Sequence, residues 1–226
     1  MTGNARSAVL GRIRQSLGRP EIDHERAATV DNRIAAHPRG VIPNRTDLSH
    51  ADRIALFITM AQKVAATVVR VDTMRDVAGA VADYLTQHNL PPKVKVAPDP
   101  LLDPVDWQIR PLLDVTRGAA AADDETGVAA AIVGVAETGT LALVSGPGAP
   151  TRLNFLPDTH IVVLRSAEIV GPYEDVWDRV RQSGGMPRTV NLITGPSRTG
   201  DIEQSIQLGA HGPRRLHIVL VDGAAG

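Results

Sequence analysis

Residues 67–96 read TVVRVDTMRDVAGAVADYLTQHNLPPKVKV, and the pattern of this segment indicates the fold class. The segment TVVRV (67–71) has the β-branched composition of a strand, and VKV (94–96) has the composition of a second strand. Between them apolar side chains recur at helical spacing, and Thr73 with Asp76 resembles an N-terminal helix cap. A strand–helix–strand unit of this kind places its two strands parallel, with a right-handed crossover.

The same alternation continues through most of the chain after residue 46. Ser49 and Asp52 resemble another cap, which precedes a helical stripe of apolar residues that runs to Ala65. The remaining patterns predict strands at 140–145, 160–164, 189–194 and 216–221, and helices at 172–181 and 201–208. Strands that alternate with helices are typical of the α/β class. We therefore predict an α/β domain over residues 47–226, with a mainly parallel sheet and helices on both faces.

Residues 1–46 are predicted to form a helix and an extended arm. Residues 4–17 carry an apolar helical face, and Gly18 and Pro20 end the helix. Residues 19–46 hold three prolines and few large apolar side chains, which favours an extended segment. Because a lone helix of this length is marginal in water, we expect it to dock on its own domain, on a second copy in a homo-oligomer, or on a partner.

Composition excludes several classes of function. The 24 Lys and Arg balance 25 Asp and Glu without any block of like charge, so nucleic acid is a poor partner. The chain has no cysteine, which excludes disulfides and cysteine-ligated zinc or iron–sulfur clusters, and it has no HExxH zinc motif. No apolar run reaches the roughly 20 residues of a membrane span, and no secretory signal is present. We predict a cytoplasmic protein that carries no metal or cofactor itself.

The segment GPSRTGDIE (195–203) lies between a predicted strand and a predicted helix. Its residues are those of an anion-binding loop: glycines that let a ligand approach the backbone, hydroxyls, and the planar cation of Arg198. The structural alternative is a helix cap at Thr199, with Asp201 and Glu203 complementing the helix dipole. Spacing alone favours neither interpretation.

Two further segments carry residues suited to catalysis. Glu137 in AETGT (136–140) stands before a strand and beside a glycine, where a carboxylate can act as nucleophile or general base; a turn with a solvated Glu is the alternative. His211 lies in a glycine-rich turn and is a candidate for proton transfer. His217, inside a predicted strand, is interpreted as a core histidine.

These motifs together resemble the hallmarks of the LUD-domain family. The resemblance rests on AETGT (136–140), GPSRTGDIE (195–203) and LGAHGPRRLHIVLV (208–221), with support from VLGRIRQSLG (9–18) and LPDTHIVVL (156–164). It implies a fold like that of the sugar-phosphate isomerase and CoA-transferase superfamily. It also implies that residues 137–140 face residues 195–203, with His211 nearby. The resulting prediction has Glu137 and His211 as catalytic groups and the following ligand-binding residues: Thr138, Gly139, Thr140, Gly195, Pro196, Ser197, Arg198, Thr199, Asp201 and Glu203.

The family resemblance implies a role in the bacterial oxidation of L-lactate to pyruvate, with a small organic acid as ligand. Iron–sulfur proteins are the expected partners, and the absence of cysteine fits a subunit whose partners carry the clusters. Two alternatives stay open: a stand-alone enzyme acting on an acyl-CoA, folate or sugar phosphate, and a non-catalytic scaffold. In CoA transferases the catalytic Glu precedes a small residue and Gly. Thr138 departs from that pattern, so no acyl-glutamyl intermediate is claimed.

Overall fold

The computed structural model describes residues 3–18, 23–199, 207–209 and 211–223. The chain divides into two units, Met1–Val41 and Ile42–Gly226. The first unit contains helices α1 (Gly3–Ser16) and α2 (His24–Ala36). Among the described residues, no helix is long and apolar enough to cross a bilayer.

Helix α2 lies within the segment that the sequence predicts to be an extended arm. Within the described part of the arm, His24–Ala36 are helical, residues 37–43 have no regular secondary structure, and Asn44–Thr46 form a short 3-10 helix. The Asp23 side chain caps the helix by accepting a hydrogen bond from the Arg26 amide at 3.1 Å, and His37 ends it with a φ of 48°. The prolines that suggested an extended chain flank this helix, and the helix itself contains neither proline nor glycine, so nothing in it interrupts a helical backbone.

The second unit follows the predicted alternation of strands and helices. Its elements in chain order are α3 (His50–Lys63), β1 (Thr67–Val71), α4 (Val77–Gln87), β2 (Lys93–Val96), β3 (Asp114–Arg117), β4 (Thr126–Ala130), β5 (Val133–Val135), β6 (Thr140–Val144), β7 (Thr159–Arg165), β8 (Ile169–Val170), α5 (Glu174–Gln182), β9 (Val190–Ile193), β10 (Arg198–Thr199), β11 (Gln207–Leu208) and β12 (Arg215–Val221).

The main sheet has six strands in the order β1–β12–β7–β4–β2–β3, and every neighbouring pair is parallel. Side chains alternate across it, as a pleated strand requires. Val219 and its neighbours on one face pack in the core that contains Val81 of α4. Ile218 on the other face lies in the core that contains Phe57 of α3. The prediction of an α/β fold with a mainly parallel sheet is confirmed.

A second, four-stranded sheet has the order β8–β5–β6–β9. Strands β5 and β6 form an antiparallel hairpin, and β9 is antiparallel to β6. Leu141 and Leu143 of β6 lie in the core that contains Phe57, whereas Val176 and Val180 of α5 pack with the opposite face. The predicted strands at 140–145 and 189–194 exist, but they belong to this mixed sheet and not to the parallel one.

The prediction of a helix over 201–208 is wrong at the C-terminal end of that range. Strand β11 lies there and pairs antiparallel with β10, so Arg198 is opposite Leu208. The Ser197 amide donates to Pro213 O at 2.8 Å, and the Gly209 amide donates to Ser197 O at 3.0 Å. These backbone groups therefore bond to the chain that follows the loop and not to a helical turn. Residues 200–206 lie outside the described residues.

Candidate functional site

The AETGT motif forms the turn of the β5–β6 hairpin and the start of β6. The Gly139 amide donates to Val135 O at 2.9 Å, and Gly139 has a φ of 69°. A Cβ atom at this position would collide with the backbone of Met60 and Ala61 in α3. Glycine is required here both for its left-handed conformation and for its contact with the helix.

Glu137 is held in this turn by an ion pair. Its Oε1 atom lies 2.9 Å from Arg45 Nη2, and its side chain is 13% exposed. Its amide also donates to Gly171 O at 3.2 Å. The carboxylate is thus paired with a guanidinium from a residue distant in sequence, so its local role is to fix the hairpin turn.

The GPSR segment leaves β9 and turns sharply against the same helix. Gly195 has a φ of 76°, and a Cβ atom there would collide with the carbonyl oxygen of Val64, which ends α3. Gly195 and Pro196 are buried, Ser197 is half-buried and Arg198 is exposed. The glycine therefore directs the next residues away from the helix, toward the chain around residue 212.

The end of the first motif lies beside the start of the second at the end of the smaller sheet. Leu141 of β6 is opposite Ile193 of β9, which places Thr140 beside Thr194. Their Oγ1 atoms are 2.6 Å apart. The meeting point lies on the smaller sheet and not at the carboxyl edge of the parallel sheet, because both motifs border its antiparallel strands.

A cavity of about 290 Å³ lies next to this junction. Its wall includes five residues that the sequence predicted: Gly195, Pro196, Ser197, Arg198 and His211. The residues described as lining it do not include Glu137, Thr138, Gly139 or Thr140. Thr140 is fully buried behind Thr194, which does line the cavity. Asp201 and Glu203 lie outside the described residues, as does the side chain of Thr199.

His160 of β7 also lines the cavity, and the sequence analysis did not select it. The residue is 1% exposed, and neither ring nitrogen has a hydrogen-bond partner among the described residues. Burial lowers the pKa of His160 to about 4, so the ring is neutral at pH 7. The sequence does contain a feature that could have identified His160. It is a histidine in the otherwise apolar strand HIVVL, where burying a polar side chain without a hydrogen-bond partner is unfavourable.

Of the described residues that line the cavity, Arg198 carries a guanidinium charge. Among the described residues, no carboxylate forms an ion pair with this guanidinium. Asn154, which is buried, and His211, which is exposed, add polar groups to the same wall. A cation with nearby donors and acceptors suits a small carboxylate that also carries a polar substituent.

His217 lines a different cavity, of about 490 Å³, beside α4. It is 5% exposed, its Nδ1 atom is 2.8 Å from Thr67 Oγ1, and its ring stacks on Tyr84 at 4.0 Å between centroids. Burial, and to a lesser extent His88, lowers the pKa of His217 to about 4. The interpretation of His217 as a core histidine agrees with this packing. Within the described part of the chain, no group of three or more His, Asp or Glu residues is arranged to hold a metal ion.

Comparisons with known proteins match this fold and these motifs. The family model described as the LUD domain matches residues 54–221. An uncharacterised protein of Neisseria meningitidis serogroup B is 36% identical over 98 residues, which cover 43% of this chain and 42% of that protein. Lactate utilization protein C of Bacillus subtilis strain 168 is 32% identical over 99 residues, which cover 42% of this chain and 41% of that protein. The chain thus spans less than half the length of these two curated relatives.

A solved structure shares the fold. The crystal structure of a DUF162-family protein from Deinococcus radiodurans superposes with a TM-score of 0.58 at 24% identity. The match covers 77% of this chain and 99% of that protein.

Proposed function

This chain belongs to the LUD-domain family, and on that premise we propose that it is a subunit of a bacterial system that oxidises L-lactate to pyruvate. Relatives from Geobacillus and Bacillus subtilis carry the name lactate utilization protein C. The proposal extends that role to this chain and assigns the acid to the cavity beside residues 195–198.

One observation carries the assignment: Arg198 and His211 line one small cavity. A guanidinium binds a carboxylate with two parallel hydrogen bonds, so Arg198 holds the carboxylate of the acid. The volume of about 290 Å³ lies at the lower end of the range for ligand sites and suits a three-carbon acid.

In the proposed reaction this chain accepts a proton of the substrate, and partner proteins accept the electrons. Oxidation of lactate to pyruvate converts the alcohol carbon to a ketone and breaks two bonds. The O–H bond releases one proton, and the C–H bond of the same carbon releases the second proton and two electrons, which the partner proteins and the solvent take up. His211 is the proposed acceptor of the hydroxyl proton, since it lines the cavity. Glu137, the other residue predicted to be catalytic, pairs with Arg45 and is not in the cavity wall, so its catalytic role stays a prediction.

The electrons must leave through partners. The chain has no cysteine, so its own residues do not fit an iron–sulfur cluster. We therefore propose that iron–sulfur proteins of the same system accept the electrons. An affinity-tagged copy of the chain, expressed at its natural level during growth on L-lactate, should co-purify with a cysteine-rich iron–sulfur protein.

Growth on L-lactate tests the function. Deleting the gene should abolish growth on L-lactate and leave growth on pyruvate unchanged, and the intact gene should restore it. Complementation with Arg198→Ala should fail, whereas Arg188→Ala, which changes an exposed arginine outside the cavity lining, should succeed. Normal growth of the deletion strain on L-lactate contradicts the proposal.

A stand-alone enzyme acting on an acyl-CoA, folate or sugar phosphate has less support. The cavity is small for such ligands, and the carboxylate that a CoA transferase would use is paired with Arg45. A thermal-shift screen separates the two functions. Stabilisation by an acyl-CoA or a folate, without stabilisation by L-lactate, favours the enzyme.

A further inference from the structure

Four hydroxyl groups form a closed cluster behind the cavity. Thr138 Oγ1 lies 2.7 Å from Thr140 Oγ1 and 2.8 Å from the Tyr173 hydroxyl. Thr140 Oγ1 lies 2.7 Å from the Tyr173 hydroxyl and 2.6 Å from Thr194 Oγ1. Thr138, Thr140 and Tyr173 thus form a ring, and Thr194 is attached to it through Thr140.

The number of protons fixes the direction of one of these hydrogen bonds. Each hydroxyl has a single proton to donate, and each contact between two oxygens consumes one. The cluster has as many contacts as hydroxyl protons, so every hydroxyl donates once within it. Within this cluster of described residues, Thr194 takes part in one contact and therefore donates its proton to Thr140. The three ring hydroxyls then donate to one another around the ring.

This direction matters because Thr194 lines the cavity, whereas Thr140 and Tyr173 do not. With its proton committed to Thr140, the Thr194 oxygen has only lone pairs left for a group in the cavity. We infer that this site selects an acid whose second polar group is a hydrogen-bond donor, and so binds a 2-hydroxy acid in preference to the matching 2-oxo acid. The inference rests on the proposed function of the cavity as an organic-acid site.

The chemical difference between the two acids is one donor. In the complex of L-lactate with the chain alone, where no electron acceptor is present, the lactate hydroxyl donates to Thr194 while Arg198 holds the carboxylate. Transfer of that proton to His211 belongs to the later oxidation step. The ketone of pyruvate has no proton to donate, and its oxygen would meet the lone pairs of Thr194. One missing neutral hydrogen bond of this kind weakens binding by about tenfold. The reduced acid is therefore held, and the oxidised product is released.

Calorimetric titration of the full chain with sodium L-lactate and sodium pyruvate tests the inference. The wild type should bind L-lactate about tenfold more tightly than pyruvate. Thr140→Val removes the acceptor for the Thr194 proton. Tyr173→Phe opens the ring, so Thr140 becomes able to donate to Thr194. In both variants the Thr194 hydroxyl can donate its proton to a group in the cavity. Both variants should therefore bind pyruvate more tightly than the wild type does, and the ratio of L-lactate affinity to pyruvate affinity should fall.

Controls separate this effect from a loss of structure. Thr126→Val changes a buried threonine outside the cluster and should keep the wild-type preference. Thermal unfolding of each variant establishes that it is folded. The pair 2-hydroxybutyrate and 2-oxobutyrate should repeat the pattern.

The outcomes distinguish the inference from the proposed function. Equal binding of both acids by the wild type, or an unchanged preference in folded Thr140→Val and Tyr173→Phe, overturns the selectivity alone. If neither acid binds the wild type, the proposed organic-acid site is overturned and the selectivity with it.

Discussion

Gly139 and Gly195 contact the same end of helix α3 from two different sequence motifs. Both have positive φ angles, 69° and 76° respectively. The nearest atoms to a Cβ at these positions belong to the backbone of Ala61 and to the carbonyl of Val64. Helix α3 is thus a common support for AETGT and GPSR, and it sets the distance between the two motifs.

Substituting either glycine should destabilise the fold severely. Gly139→Ala and Gly195→Ala each impose a left-handed conformation that costs roughly 1–2 kcal/mol, and each adds a collision with backbone that cannot move aside. We expect losses in the free energy of unfolding above about 2 kcal/mol, measured by urea titration. Gly146→Ala is the control, since its Cβ would meet nothing within 4 Å. A change below about 0.5 kcal/mol for either motif glycine contradicts the role of α3.

Arg198 should control the affinity for the acid. A hydrogen-bonded charge contributes about 1.5–3 kcal/mol, so Arg198→Ala should weaken L-lactate binding by roughly 10- to 100-fold. Arg198→Lys should recover only part of the loss, because an ammonium group does not match both carboxylate oxygens. Calorimetry measures both values, with Arg188→Ala as the matched control. Unchanged affinity in Arg198→Ala would show that the carboxylate binds elsewhere.

The ion pair between Arg45 and Glu137 should make a small, measurable contribution to stability. Arg45 is 63% exposed, so solvent screens the pair and limits its coupling to about 0.5–1 kcal/mol. A double-mutant cycle with Arg45→Ala and Glu137→Gln, followed by urea unfolding, measures that coupling. Additive effects of the two substitutions would mean that the ion pair does not anchor the hairpin turn.

Two buried histidines should make the protein less stable in mild acid. The pKa of His160 and that of His217 are lowered to about 4, against 6.5 in the unfolded chain. Between these values the unfolded state binds more protons than the folded state, so the free energy of unfolding rises with pH. The stabilisation is present above about pH 6.5 and is lost as the pH falls toward 4.

The size of this effect can be measured one histidine at a time. Each buried histidine contributes a slope of up to about 1.4 kcal/mol per pH unit within that window. His160→Gln should reduce the slope, whereas a substitution of the exposed His50 should not. Urea titrations at several pH values provide the slopes. An unchanged slope in folded His160→Gln would mean that His160 is not the buried neutral group described above.

Composition and hydrophobic periodicity were enough to predict the α/β class and most of its elements. The run TVVRV predicted β1 to the residue, and the patterns around 94–96, 160–164 and 216–221 found β2, β7 and β12 within a residue at each end. These predictions succeed because composition and periodicity are local properties of buried strands. The sequence pattern did not predict helix α2, because the three prolines of residues 19–46 favour an extended chain. These prolines lie on either side of the helix, which itself contains none.

The set of residues that line the cavity depends on contacts between segments far apart in the chain. The family resemblance implied that AETGT and GPSR face each other, and the structure places Thr140 of the first motif against Thr194, which precedes the second. The partner of Glu137 is Arg45, 92 residues away, and that contact holds the carboxylate at the hairpin. His160 reaches the cavity from β7 of the parallel sheet, and Thr194 is hydrogen-bonded to a ring of hydroxyls on separate segments. The local sequence pattern predicts which side chains point to each face of a strand. It does not predict which residues those side chains contact, because the contacts join segments that are far apart in the chain.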